Sequence, residues 1–172
     1  MKRRQAYNIA MQDTTIAGLG TKNDLCEGLS SELTHKFLLN EKIITMAKGT
    51  SLLKQGKPVQ HLIILKSGSI QLSLPYSGCE VSWTTNSPDH ILGMRSIISG
   101  ELSEISATCI EPCDIGLIER DFFLATLKAY PEIYFAVSRV LSSDLKIANR
   151  MLLHRRQEVL ALNNRPRAFV LS

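Results

Sequence analysis

Four cysteines and four histidines are the residues of this chain whose types lend themselves to chemistry: Cys26, Cys79, Cys109, Cys113, His35, His61, His90 and His154. Cys109 and Cys113 stand four apart across Pro112. That spacing is open to a redox pair or to two ligands of a soft metal. No Cys-x-x-Cys occurs, and no two histidines stand in His-x-His or His-x-x-x-His spacing. A local metal centre is therefore not expected. His61 and His90 could meet only through folding, and nothing marks a third ligand. The plainer reading of the cysteine pair is two strand-end thiols packed in a core. No Gly-x-Ser-x-Gly, phosphate-binding Walker loop or paired-carboxylate motif is present. No catalytic residue is nominated, and no enzymatic activity is expected.

Charge is the second source of chemistry. Arg150, Arg155, Arg156, Arg165 and Arg167 face one acidic residue, Glu158, in the last 23 positions, which equals the net charge of the whole chain, +4. Such a cluster makes phosphate contacts or sits as a solvated helix face, where the helix dipole favours cations near the C-terminus. The solvated face is the expectation. Aromatic residues are 6% with one Trp, too few for a platform that stacks successive bases.

The elements that must position these groups follow from length and pattern. At 172 residues, 44% hydrophobic and 21% charged, the chain is globular and about one domain long. No apolar run approaches the ~18 residues of a membrane span. Behind Met1-Lys2-Arg3-Arg4 there is no apolar segment, so no secretory signal is read, and a cytoplasmic location with free thiols is expected. Residues 1–24 read as a loose arm. Ser30-Ser31, Glu32, Leu33, Phe37 and Leu38 predict a short capped helix. From Glu41 to Ile118 short apolar runs alternate with turns at Lys48-Gly49, Gln55-Gly56-Lys57-Pro58, Ser67-Gly68, Pro75-Tyr76-Ser77-Gly78 and Glu111-Pro112-Cys113. Turn signals every 8–12 residues predict a sandwich or barrel. After Glu119 the period becomes helical. A short helix runs to Tyr130, and a second from Pro131 to about Leu162, some 45 Å long. Val137, Leu141, Leu145, Ala148, Leu152 and Val159 make a stripe along it. This coiled-coil-like seam predicts a homodimer, the alternative being a helix laid along its own barrel.

Together Gly49, Gln55-Gly56, Ile64-Leu65-Lys66-Ser67-Gly68-Ser69-Ile70 and Leu92-Gly93 resemble the glycine scaffold of the cyclic nucleotide-binding domain. Ile91 to Gly100 and Ala107 to Cys113 resemble the Crp–Fnr branch of transcription regulators, and the long helix is similar to that branch's dimerisation helix. The resemblance covers about residues 26–162. It implies an α+β, mainly β, fold: a double-stranded β-helix or jelly roll with short flanking helices and a long C-terminal dimerisation helix. The implied division is an arm at 1–24, a β-roll at 25–130, the dimerisation helix at 131–162, and at 163–172 the start of a truncated DNA-binding domain. DNA is then a partner only through a further C-terminal domain. A metal-dependent cupin enzyme would share the roll, but it needs a clustered His and carboxylate set that this sequence does not suggest.

The departures from the family are informative. Where the resemblance implies a phosphate-binding cassette, the candidate pocket residues are Gly93, Met94, Arg95, Ser96, Ser103 and Glu104. In relatives that bind cyclic AMP, a Glu after the glycine accepts from the ribose and an Arg some ten residues on pairs with the phosphate. Here Met94 stands at the first position, and Ser103 or Glu104 at the second. Arg95, adjacent to the Glu position, is expected to point elsewhere. A charged hydrogen bond to phosphate is worth roughly 1.5–3 kcal/mol and a missing buried acceptor costs roughly 1–3 more. No cofactor is therefore expected, cyclic AMP being disfavoured; the resemblance implies a sensor domain for an unidentified small-molecule effector, the alternative being a ligand-free dimerising module that modulates a full-length relative. The family's iron–sulfur branch uses clustered N-terminal cysteines, and that region here has only Cys26.

Overall fold

The computed structural model describes residues 25–76 and 79–163. The expected arm (1–24) and the expected start of a DNA-binding domain, from residue 164 on, lie outside the described residues. Helix α1 (Ser31–Asn40) leads into β1 (Lys42–Met46), β2 (Ser51–Leu53), β3 (His61–Ser67), β4 (Ile70–Tyr76), β5 (Cys79–Thr85) and β6 (His90–Leu92). Helix α2 (Met94–Ser99), β7 (Ser106–Cys109), β8 (Cys113–Glu119), α3 (Arg120–Ala129) and α4 (Ile133–Asn163) complete the order.

The strands nest from both ends of the roll. One sheet runs β1-β8-β3-β6 and the other β2-β7-β4-β5, with every pairing antiparallel. Strand β3 is paired on both edges and buried on both faces, so Leu62 to Leu65 form a continuous apolar run rather than an alternation. Strands β7 and β8 bury Ala107, Cys109, Cys113 and Ile115 from the two sheets into a shared core, and Ile118 is buried on the opposite face of β8. At roughly 1.5–3 kcal/mol for each large apolar side chain withdrawn from water, this core supplies the main stabilisation.

Two local expectations need correction. Pro75 and Tyr76 are not turn residues but the end of β4, with Pro75 opposite Glu80. Strand β7 pairs with β4 only as far as Ser73, so Pro75 lies on a two-stranded tip where a missing N–H is tolerated. The long helix starts at Ile133, not Pro131. Ile133 N donates to Tyr130 O and Tyr134 N to Pro131 O, both at 3.1 Å, a tight i→i+3 turn preceding the regular ladder.

The helices are docked by named contacts. Ser30 Oγ accepts from Leu33 N and donates to Glu132 Oε1 at 2.9 Å, tying the cap of α1 to the entrance of α4. Phe37 meets Phe122 edge-on and Phe123 at a tilt, and Lys36 lies over the Tyr130 ring at 4.7 Å. At the far end of α1, the Glu41 carboxylate lies over Gly116 of β8, 2.8 Å from Lys66 Nζ, and Asp89 lies 3.6 Å from the same ammonium. Burial opposes the Lys66 charge, yet the two carboxylates hold its pKa above the ordinary lysine value.

A Cβ built on Gly116 would stand 1.9 Å from Glu41 Oε1. Gly116→Ala must evict that carboxylate, and is expected to cost about 1–3 kcal/mol in urea denaturation. In a Glu41→Ala background the same change should cost much less, because the two sites share one interaction. Equal costs in the two backgrounds would place the strain elsewhere.

Candidate functional site

The cassette begins where β6 ends. Gly93 caps α2 with φ +85°, and a Cβ there would sit 2.8 Å from Val59 Cγ1 and 3.3 Å from His61 O. Only glycine reverses the chain this close to the roll. Helix α2 then runs six residues and stops at Gly100, whose N–H donates to Ser96 O at 3.0 Å. The turn at Gly93 sends Met94 inward, leaving it 2% exposed in the core, and Arg95 outward. Met94 therefore presents nothing polar to a ligand.

Ser103 and Glu104, the two positions considered for the phosphate-pairing residue, go opposite ways. Ser103 is 4% exposed and woven into the backbone. Its N–H donates to Lys57 O at 2.9 Å, its carbonyl accepts from Gly56 N at 2.8 Å, and its hydroxyl donates to Ile105 O at 2.8 Å. Glu104 is exposed and grips Arg95, which also reaches Glu101 Oε2 at 3.3 Å. The Glu104 contact raises the Arg95 pKa, and Arg95 in turn holds the Glu104 carboxyl below its ordinary value. The lone guanidinium of the cassette is thus matched by two carboxylates, which leaves a local charge of −1. Exposed pairs of this kind add little stability, but they set the sign of the field an incoming anion meets.

Sequence reading overlooked Glu101 as a partner of Arg95. The signal available was a pair of glutamates flanking Ser103 across a glycine from a single arginine. The left-handed Gly100 folds that loop back, so residues six and nine apart converge.

The other nominated groups do not converge. β6 sets His90 opposite Leu65, four residues along β3 from His61, or roughly 13 Å. His61 and His90 therefore do not share a site. Burial also lowers the His90 pKa, leaving the ring neutral. Cys109 and Cys113 are both 1% exposed. The Cys113 thiol donates to Ser69 O and Glu111 O, each at 3.3 Å, and burial with the Cys113 contact pushes the Cys109 thiol up to about 11. At neutral pH that thiol is protonated and a poor nucleophile.

Along α4, Val137 is 5% exposed, so the first member of the predicted seam is spent on the chain's own core. Leu141 packs partly against that core, while Leu145 is 62% exposed and Ala148 is also exposed. The side chains of Leu152 and Val159 lie outside the described residues. Where the helix leaves the core, Asp144 is half-buried with no hydrogen bond or ion pair among the described residues.

A sequence profile described as "Cyclic nucleotide-binding domain" matches residues 43–130, half of the chain. The chain belongs to the cyclic nucleotide-binding domain family. No curated protein sequence matches it. Among solved structures it is similar to the catabolite activator protein of Thermus thermophilus, at 22% identity and TM-score 0.64, over 74% of this chain and 61% of that one. It is also similar to the sensor domain of the transcriptional regulator DNR from Pseudomonas aeruginosa, at 19% identity and TM-score 0.58, over 74% of this chain and 90% of that one. The regulatory domain of Toxoplasma gondii PKA, crystallised with cAMP, matches at 22% identity and TM-score 0.55, over 59% of this chain and 39% of that one. At these identities the likeness establishes the roll, and the chain spans about three fifths of the catabolite activator protein. Among the described residues, no helix of this family member is long and apolar enough to cross a membrane.

Asp144 yields a pH prediction. Burial lifts its carboxyl to about 6, above the unfolded value of roughly 3.9. Between those values the native state holds more protons than the unfolded chain, so stability falls as pH rises from about 4 to about 6. Asp144→Asn is expected to flatten that stretch of the pH–stability curve in urea titrations. An unchanged slope would assign it to other carboxylates.

Proposed function

We propose that this chain is the effector-sensing and dimerisation module of a Crp–Fnr-type transcription regulator, without enzymatic activity, and that it does not bind cyclic AMP in the family manner. The observation that carries the reading is the burial of Met94 in the core at the first turn of α2. The position that would accept from a ribose is committed to packing, and a carboxylate placed there would be buried without a partner. The position of the phosphate-pairing cation fares no better. Ser103 is locked into the roll, and Glu104 would repel a phosphate while holding the one arginine at hand. The effector is a small molecule of other chemistry, and sequence-specific DNA reading belongs to a domain other than the described residues.

The support for dimerisation is the division of α4. Its 31 residues span about 46 Å, and among its described side chains the fully buried ones, from Ile133 to Ser143, lie in the first three turns. Beyond them Leu145 and Leu153 are exposed, the latter 59%. A second copy of the helix is the partner that such a stripe fits.

Titration calorimetry with cyclic AMP tests the first part. The missing acceptor and cation predict affinity lower by about a hundredfold to ten-thousandfold than an intact cassette would give. A low-micromolar dissociation constant, on the order of −8 kcal/mol, would overturn it.

Sedimentation tests the second part. Leu145 lies outside the chain's own core, so Leu145→Lys should leave the fold intact and shift the species from dimer to monomer at about ten micromolar. A wild-type chain that sediments as a monomer at that concentration, or a variant that stays dimeric, would remove the seam.

A further inference from the structure

Cys109 ends β7 in one sheet, Cys113 opens β8 in the other, and Ile110, Glu111 and Pro112 join them. The register carries both cysteines to the start of β4, away from the cassette and independent of the reading above. Cys109 stands opposite Ile70, the first residue of β4, where facing Cβ atoms lie about 5 Å apart. Cys113 Sγ donates to Ser69 O, one residue earlier, at 3.3 Å. Gly68, one residue earlier again, makes room for it: a Cβ there would stand 2.7 Å from the Cys113 sulfur and 2.9 Å from its Cα. Both side chains lie in the core, each 1% exposed, and there the two thiols interact directly.

Joining the two sulfurs would leave little unsatisfied. A disulfide removes the Cys113 S–H and with it the bonds to Ser69 O and Glu111 O. Ser69 O keeps the Ile110 N–H at 3.0 Å, and Glu111 is an exposed residue, where water replaces a thiol donor. The backbone at Cys109 is fixed already: its N–H donates to Thr50 O at 2.9 Å, and Gly49 N donates to its carbonyl at 2.7 Å. The adjustment that a disulfide asks for therefore falls on the three-residue connection. Two cysteines used as small apolar side chains have no need of each other. Here they meet from different sheets, over a glycine whose missing side chain leaves the space for one of the sulfurs.

We infer that Cys109 and Cys113 form a reversible dithiol–disulfide couple, oxidised by hydrogen peroxide, that ties the two sheets together where the chain crosses between them. One sulfur, as its thiolate, attacks a peroxide oxygen and becomes a sulfenic acid, and the other oxygen leaves as water. The second sulfur then displaces the hydroxyl of that sulfenic acid. The S–S bond forms, and a second water leaves with the proton of the second thiol. Two thiols and one peroxide thus give one disulfide and two waters, with two electrons passing from the sulfurs to the peroxide oxygens. Peroxide is the oxidant class that the site admits, because sulfurs 1% exposed exclude a bulky disulfide. Burial keeps the Cys109 thiol protonated at neutral pH, so the attack is slow, and it shields the product from reductants in turn. The couple therefore responds to sustained exposure to peroxide, not to a brief pulse.

The test treats the full folded chain with hydrogen peroxide at about 1 mM and about pH 8, and maps its cysteines by mass spectrometry. The wild-type chain and a Cys26→Ser, Cys79→Ser variant are treated alike. Each is expected to become about 2 Da lighter, with Cys109 and Cys113 in one disulfide that dithiothreitol returns to two thiols. Adding Cys109→Ala or Cys113→Ala to the variant should abolish the 2 Da loss. Because either change also touches the core, hydrogen exchange supplies a readout without substitution. The Ile110 amide, bonded to Ser69 O, should exchange at least about tenfold more slowly after oxidation. Sulfinic acids in place of a disulfide would overturn the proposal. So would a pairing with Cys26 or Cys79 in the wild-type chain, thiols that oxidise only once urea has unfolded the protein, or an Ile110 amide that exchanges no more slowly after oxidation.

Discussion

The left-handed turn at Gly93 is the constraint from which the chemistry of the cassette follows. With φ +85° and Val59 and His61 O packed where a side chain would begin, the chain leaves β6 in one direction only. That direction buries the first residue of α2 and exposes the second. Had Met94 been polar, the same turn would have aimed a polar group into the roll. As methionine it adds to the core. Arg95 is then left on the outside, where the second left-handed glycine, Gly100, returns the chain so that Glu101 and Glu104 reach it. Two carboxylates therefore gather around the one guanidinium of the cassette.

Geometry and chemistry are separable in this fold for a physical reason. The turn glycines and the nested antiparallel strands answer to sterics and to backbone hydrogen bonding, which do not depend on what the exposed side chains carry. Ser103 shows the separation within one residue. Its backbone and hydroxyl hold the loop after α2 against the β2–β3 loop through Gly56, Lys57 and Ile105, a supporting role that needs no ligand. The loop can therefore keep its course while the residue beside it, Glu104, changes the sign of the site.

How much of this was legible in the sequence depended on the range of the interaction. Turn glycines and apolar runs are local signals, and they placed most strands and the helices within a few residues. The order of the glycines pointed to the family that residues 43–130 match. The exceptions were contextual: Pro75 reads as a turn until one knows that β7 stops short at Ser73. The two alternatives for the cassette's cation, Ser103 and Glu104, could not be resolved by spacing, since one buried and one exposed neighbour look alike in a loop. The stripe on α4 raised a related difficulty. A period near 3.6 reports that a face is covered, not by what, and Val137 is covered by this chain's own roll. Glu41, Lys66 and Asp89 left no trace, because residues more than twenty positions apart were joined only by sheet register and by the missing side chain of Gly116.

Helix α4 changes allegiance at Asp144. Up to Ser143 its buried side chains belong to the core of the roll, and after it Leu145, Ala148 and Leu153 face outward. A carboxylate without a partner among the described residues sits at the boundary, and its raised pKa means that its charged form disfavours the packed arrangement. Val137 and Val140, two turns and one turn earlier, carry no such penalty and anchor the helix.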